Sequence, residues 1–337
     1  MLRLVQLQHP QHGRRAALVE GDTLHFLQSY STLYACALAA IESGGGLRSL
    51  VQADVSDNTL DYDAVYNSAS EWRMLPAFDH PDEPARCLIS GTGLTHRKSA
   101  DNRNAMHQAA NAGAAAITDS MRMYEWGVEG GRPEPGKIGA QPEWFYKGCG
   151  TILRAHGESL DIPAFADDGG EEGEIAGAYV VDGAGQPWRV GFAIGNEFSD
   201  HEMERKNYLY LAPSKLRTCA LGPELVVGAA FDNVTGSARI KRNGETVWSQ
   251  PLASGEEQMV HTLENLEHHQ FKYPAHRRPG DVHLHFFGAG AFSFGAGIKL
   301  EDGDVMEIGF ERLGRPLRNP VRLDRTPPRL AQVRALT

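Results

Sequence analysis

Glu171-Glu-Gly-Glu-Ile-Ala-Gly-Ala-Tyr-Val-Val-Asp-Gly-Ala-Gly-Gln-Pro-Trp-Arg-Val-Gly-Phe-Ala-Ile-Gly-Asn-Glu197 is the stretch on which the fold turns. Two apolar runs flank Asp182-Gly-Ala-Gly-Gln-Pro187, a cluster of turn formers, so the segment reads as a β-hairpin. Glu172 and Glu174 are two apart and project from one face of the first strand. Further along, that face carries Ala176, Ala178 and Val180, and the other carries Ile175, Tyr179 and Val181. Apolar on both faces, the strand is expected to be buried on both sides, with its glutamates at the mouth of a core.

A turn centred between Ala184 and Gly185 pairs position 182 with 187 and, by the same register, 172 with 197. Glu197 then stands opposite Glu172, with Glu174 beside them; a bulge would move this by one residue. Like charges directly opposite on a sheet repel. Three converging carboxylates therefore need a cation or raised pKa values. Oxygen-only ligands favour a hard ion, Mg²⁺ or Mn²⁺, over Zn²⁺. A solvated acidic rim at a strand end is the alternative, and from the residues alone both readings stand.

Outward from the hairpin, Ser199-Asp-His-Glu202 has the form of a capping box opening a helix, whose positive end would lie beside the carboxylates. Lys215 follows an apolar Pro turn and precedes Gly222-Pro223, and Lys147 closes Trp144-Phe-Tyr-Lys147. After Arg86, short apolar runs at 87–90, 175–181, 189–194, 225–231, 238–242, 282–287 and 305–310 are separated by Gly and Pro turns, the pattern of a β-rich domain. Helices are expected over 101–118 and over 254–271. The second carries the capping box Ser254-Gly-Glu-Glu257 and a core-packing stripe of Met259, Leu263 and Leu266. Residues 1–85 read as a small α+β unit. It has strands at 2–7 and 16–26, the latter turning at 20–22, and a helix over 32–43 ended by Gly44-Gly45-Gly46. A Pro- and Asp-rich stretch at 76–84 links it to the β-rich domain, 86–337, making the chain α+β in two parts.

Composition excludes several classes. Net charge is −10 with Lys and Arg scattered, so no basic stripe suggests nucleic acid. No apolar run is long enough to cross a bilayer, and the N-terminus alternates like a strand rather than forming a signal peptide. Cys36, Cys87, Cys149 and Cys219 suggest no disulfide framework, which points to a reducing, cytoplasmic setting. Gly91-Thr-Gly93 and Gly288-Ala-Gly290 lack a full G-x-G-x-x-G, and His201-Glu202 lacks the second His of H-E-x-x-H. His283 and His285 alternate on a strand with nothing spaced to complete a zinc site.

Taken in order, Glu172-Gly-Glu174, Asn196-Glu197, Lys215, Gly222-Pro223, Asp302-Gly-Asp304 and Gly314-Arg-Pro-Leu-Arg-Asn319-Pro-Val321 resemble the fumarylacetoacetate hydrolase superfamily, over roughly residues 86–321. The resemblance implies a β-rich barrel or roll with one Mg²⁺ (or Mn²⁺) in its mouth, held by Glu172, Glu174 and Glu197. It also implies substrate contacts at Lys147, Thr95, Ser99, Gly288 and Ala289, and a homodimer. Three departures stand out. Glu197 replaces the usual Asp. Gly288-Ala289 replaces a Gly-Thr, so its hydroxyl is missing or supplied by Ser293. Aligned on Gly93, the water-activating His and Glu of the hydrolase lid become Ser99 and Asn102.

That loss, with the segment 208–215, resembles the branch of 2-keto-3-deoxy sugar acid dehydratases. The resemblance implies a metal-dependent lyase dehydrating a 2-keto-3-deoxypentonate to 2-oxoglutarate semialdehyde. Lys215 would take the C3 proton and Lys147 would hold substrate charge. A C–C hydrolase of a 2,4-diketo acid and a non-catalytic sugar-acid binder are the alternatives.

Overall fold

The computed structural model describes residues 1–97, 100–101 and 118–336. Ser99, Asn102 and most of the helix expected over 101–118 lie outside the described residues. The fold is mixed α+β in open sheets, with 24% of the described residues in helices and 35% in strands.

The acidic hairpin forms as strands Gly173–Val181 and Pro187–Asn196, in the interior of a thirteen-stranded sheet. All nine residues of the first strand are buried. Ile175 and Tyr179 enter one core, shared with a five-stranded sheet that contributes Ala238, Ile240, Met306, Ile308 and Leu317. Ala176, Ala178 and Val180 enter a second core with Leu2, Leu4, Leu33 and Cys36. The two-sided burial expected from the alternation is therefore present, and the β-rich part is a roll of two open sheets rather than a closed barrel. The N-terminal strands extend the large sheet: Leu2–His9 pairs with Leu225–Val227, placing Leu2 opposite Val227 and Leu4 opposite Leu225. The sheet and the second core thus run across the Pro-rich stretch that ends in the short 3₁₀ turn Pro84–Arg86.

The hairpin register differs from the expected one at the turn and agrees with it at the glutamates. Val181, not Asp182, faces Pro187, and Tyr179 faces Arg189. Asp182 instead builds the turn: its Oδ1 accepts from Ala184 N–H (2.9 Å) and Gln186 N–H (2.8 Å), and its Oδ2 accepts from Trp188 Nε1 (2.8 Å). A bulge then inserts one residue, so that Ala178 faces Gly191 and Gly173 faces Asn196. The two one-residue differences cancel. Glu197 N–H donates to Glu172 O at 2.9 Å, and the glutamates end opposite each other as expected.

Two helix expectations are sorted by their caps. Helix Leu33–Ser43 starts at Thr32, whose Oγ1 accepts from Ala35 N–H, and ends at Gly44 with φ +65°. The helix expected from 254 starts only at Leu263. Ser254 closes strand Glu245–Ser254, Gly255 takes φ +97°, Met259 is extended, and Thr262 caps helix Leu263–Phe271 by accepting from Asn265 N–H. Ser254-Gly-Glu-Glu257 is therefore not a capping box. Its spacing satisfies the pattern, but a strand already uses the backbone. Leu263 and Leu266 still reach the core. Helix Asp119–Gly130, capped by Thr118, was not expected from the sequence. No described helix is long and apolar enough to cross a membrane.

Gly191 sits at the bulge, where an added Cβ would lie 2.6 Å from Val226 O, a backbone atom that cannot move without shifting the next strand. Gly191→Ala is expected to cost about 1–3 kcal/mol, read as a lower denaturant midpoint at unchanged slope. Unaltered stability would show that the strand tolerates the shift.

Candidate metal centre

The open end of the hairpin gathers carboxylates. Ligand oxygens of Glu172, Glu174 and Glu197 all lie within 4.8 Å of one another, and the residues are 7%, 1% and 0% exposed. Asn196 shapes this end: its Oδ1 accepts from Glu172 N–H and Phe198 N–H, both at 3.2 Å, tying the outgoing chain back to the incoming one. Phe198 takes φ +28° in the tight corner that follows.

Buried carboxylates require compensating charge. Lys215 Nζ lies 2.6 Å from Glu172 Oε1 and 2.6 Å from Glu197 Oε2, and donates to Ser199 Oγ at 3.0 Å. Lys147 Nζ pairs with Glu197 Oε1 and donates to Phe198 O at 2.9 Å. His201 Nε2 is 3.1 Å from Glu172 Oε1, its ring stacked on Phe292 at 4.9 Å between centroids. Both lysines, assigned separate roles from sequence, therefore meet on Glu197.

Ser199 is not the expected helix cap. Its hydroxyl faces both oxygens of Glu197 at 3.1 Å, and Asp200 caps helix His201–Lys206 instead, accepting from Met203 N–H. Asp200 is in turn held by Arg217 at 2.8 Å. The carboxylate so placed adds negative charge at the helix start.

The electrostatics single out Glu174. Burial, then the charges of Glu197 and Glu172, push its carboxyl well above the ordinary 4.5, against the opposing Lys215 charge and the Gly288 N–H. Burial also acts on Glu172, but Lys215 and His201 outweigh it and hold that carboxyl well below the ordinary range. Lys215 compensates Glu172, whereas at Glu197 burial still pushes the carboxyl up against the charges of both lysines; Glu174 receives an N–H from Gly288 at Oε2, 2.8 Å. A buried, all-oxygen cluster with one carboxylate short of positive charge fits a hard divalent cation held by Glu172, Glu174 and Glu197. Glu197, although one methylene longer than Asp, closes the cluster.

The wall of the site is the corner after strand Val282–Phe286. Gly288 has φ +101°, and a Cβ there would sit 2.0 Å from Thr95 Oγ1. Thr95, fully buried, donates to Phe287 O at 2.6 Å and contacts His96 Nδ1 at 2.9 Å. Thr95 and Gly288 are therefore brought together beside Glu174, with buried Ala289 next in the chain. Ser293 does not offer a free hydroxyl, because its N–H and Oγ both donate to Glu171, at 2.6 and 2.8 Å. Ser99 lies outside the described residues.

Glu171 and His201 are the residues the sequence reading missed. Glu171 alternates with Glu172 and so faces the 288–296 corner, and burial pushes its carboxyl up. His201 follows Glu197 across a non-helical corner, so no periodic spacing tied it to the carboxylates, and it was read only as a fragment of H-E-x-x-H.

No family model matches the sequence, and no curated protein does. Solved structures do. A 2-keto-3-deoxy-D-arabinonate dehydratase complexed with magnesium and 2,5-dioxopentanoate aligns with a TM-score of 0.69 over 96% of this chain and 100% of its own, at 19% identity. The chain has the fumarylacetoacetate hydrolase fold. Two isomerases share the fold. The 2-hydroxyhepta-2,4-diene-1,7-dioate isomerase from Mycobacterium marinum gives a TM-score of 0.58 at 16% identity, over 97% of this chain and 100% of its own. The 5-carboxymethyl-2-hydroxymuconate delta-isomerase from Mycobacterium smegmatis gives 0.57 at 18%, over 96% and 100%. In this chain the fold places its buried acidic triad at the open end of the central hairpin.

Cation binding must displace the proton that the raised Glu174 holds in the metal-free state. Mg²⁺ or Mn²⁺ affinity is expected to climb as pH rises above 4.5, with proton release measurable by calorimetry in buffers of different ionisation enthalpy. By the same sign, the metal-free protein loses stability as pH rises through that range, since the unfolded carboxyl ionises first. Glu174→Gln should abolish both cation binding and its proton release. A Glu174→Gln protein that binds Mn²⁺ as tightly as the parent would remove Glu174 from the centre.

Proposed function

We propose that this protein is a Mg²⁺-dependent hydro-lyase of 2-keto-3-deoxy sugar acids, converting a 2-keto-3-deoxypentonate to 2-oxoglutarate semialdehyde. The observation that carries the reading is Lys215, a buried amine 2.6 Å from two carboxylates of the acidic triad. Its Nζ also lies over the Phe145 ring at 4.8 Å from the centroid. A similar fold occurs in a dehydratase complexed with magnesium and 2,5-dioxopentanoate, which supports the choice of substrate class.

A divalent cation on Glu172, Glu174 and Glu197 would supply the Lewis acidity that makes a proton next to a keto group removable. The residues of the chain do the rest. Lys215 accepts the C3 proton once its ammonium has released one, a loss that the facing carboxylates of Glu172 and Glu197 oppose and the charge of a bound cation would favour. The C4 hydroxyl leaves as water with the proton that Lys215 has taken, and a C3–C4 double bond forms; a proton moved from C5 to C3 then gives the C4–C5 enol, which ketonises to the aldehyde of the product. Lys147 holds Glu197 through the carboxylate oxygen that Lys215 leaves, and its charge opposes the burial that pushes that carboxyl up. Thr95 and Gly288 fix the corner against which substrate would lie, and the apolar Phe145 and Phe292 limit water. An elimination needs no activated water, in keeping with Ser99 and Asn102 at the positions of the hydrolase pair.

Lys215→Met is expected to lower kcat by about 10²–10⁴. Mg²⁺ affinity should hold or rise, because an ammonium competing for Glu172 and Glu197 is gone. The assay is a panel of 2-keto-3-deoxy acids and 2,4-diketo acids with metal-loaded protein. Loss of water without C–C cleavage is the expected outcome. C–C cleavage of a diketo acid would assign a hydrolase, and no turnover across the panel would leave a binding protein. Undiminished turnover by Lys215→Met would remove Lys215 from the chemistry.

A further inference from the structure

The last described segment carries apolar side chains that no other described residue covers. After strand Leu317–Leu323 the backbone runs on to residue 336 without a helix or strand. Within it, Pro327, Leu330, Val333 and Leu336 recur at a constant spacing of three. The three larger side chains are 89%, 96% and 106% exposed, the most exposed large hydrophobics among the described residues. Segments selected to stay in solvent are poor in bulky apolar groups. Here they recur with the period of a polyproline helix, three residues per turn, and Pro327-Pro328 opens the run. In that geometry all four fall on one edge. Arg325, Arg329 and Arg334 add positive charge to this tail of a chain whose net charge is −10.

The fold also carries a groove of matching character, remote from the acidic triad. It is a cavity of about 320 Å³ between helix Leu33–Ser43 and the bulged strand of the hairpin, lined by Ala40, Ile41, Leu47, Trp188, Val190 and Val227. Trp188 is 46% exposed at its rim. Polyproline segments dock in apolar grooves with aromatic walls. The charge is also complementary. The C-terminal end of helix Leu33–Ser43 opens on the groove at Gly44 and has no basic residue in its last turn. A helix C-terminus favours cations. Exposed Glu42 lies in that turn, and Asp182 holds the Trp188 indole. Arg189 also lines the groove, but it is paired with Glu267.

We infer that residues 326–336 of one copy of this chain dock in the groove between helix Leu33–Ser43 and Trp188 of a second copy, so that two chains exchange tails in a homodimer. The exchange is reciprocal, each copy giving a tail and offering a groove, as a two-fold interface requires. The inference is independent of the proposed activity.

Sedimentation of the full chain tests it, with melting temperature and Mn²⁺ binding as controls for folding. The parent is expected to be dimeric at micromolar concentration. The combined Leu330→Ser, Val333→Ser, Leu336→Ser variant, and separately Ile41→Lys, should each raise the dimer dissociation constant at least roughly 100-fold. If Ile41→Lys melts early, Trp188→Glu replaces it. A labelled peptide of residues 326–336 should bind the triple-serine protein and not the triple-serine protein that also carries Ile41→Lys or Trp188→Glu. A monomeric parent, as a tail folded back on its own chain would give, overturns the inference. So do variants that dimerise like the parent, and so does a peptide that binds regardless of the groove substitution.

Discussion

Two carboxylates face each other across the open end of a hairpin that is buried on both sides, and much of the surrounding structure answers to that repulsion. Glu172 and Glu197 are directly opposed, joined by the 2.9 Å hydrogen bond from Glu197 N–H to Glu172 O, and neither is appreciably exposed. Removing such charges from water costs several kcal/mol per ion even after relaxation. Two lysines with almost no exposure, from two other parts of the chain, sit against them. Either lysine without the carboxylates would be as costly to bury as the carboxylates without the lysines.

Glu174 is the part of this arrangement that protein cations leave unbalanced. The charges of Glu197 and Glu172 add to the burial that raises its carboxyl, and the Gly288 N–H donates to it at 2.8 Å. That bond couples the acidic triad to the wall of the site. The incoming chain carries Glu171 and Glu172 on alternate sides, so one segment reaches both the acidic cluster and, through Ser293, the 288–296 corner. Phe292 from the same corner stacks on His201, which returns to Glu172. The corner is therefore held at three points by the carboxylates it faces. Thr95 adds a fourth through Phe287 O, which joins the segment that follows strand Cys87–Gly91 to the same unit. A side chain at Gly288 would separate them, since both its backbone angle and the Thr95 hydroxyl exclude one.

Much of the centre was legible because its signals are local or periodic. Alternation along 172–181 declared a strand buried on both faces, and the E-x-E spacing placed two carboxylates on one of them. Thr32 and Gly44 marked helix Leu33–Ser43 at both ends. Where a pattern failed, a stronger use of the same atoms had displaced it. Ser199 fits a capping box, but its hydroxyl is taken by Glu197 and Lys215, leaving Asp200 to cap. Ser254 fits another, but it belongs to a strand and precedes a glycine at φ +97°.

By itself the sequence determined the acidic hairpin, the identity of its three clustered glutamates and the α+β class, because hydrophobic alternation and turn chemistry are properties of neighbours in the chain. Only the tertiary structure decided the register near the turn, where Asp182 tightens the corner and a bulge, with Gly191 pressed against Val226 O, restores the lost residue. It alone brought Lys147, Lys215 and His201 onto the same carboxylates and turned Glu171 toward Ser293. Those partners lie between 18 and 122 residues apart along the chain. Which buried charge meets which is set by the packing of the sheets that carry them, and no spacing in the sequence records it.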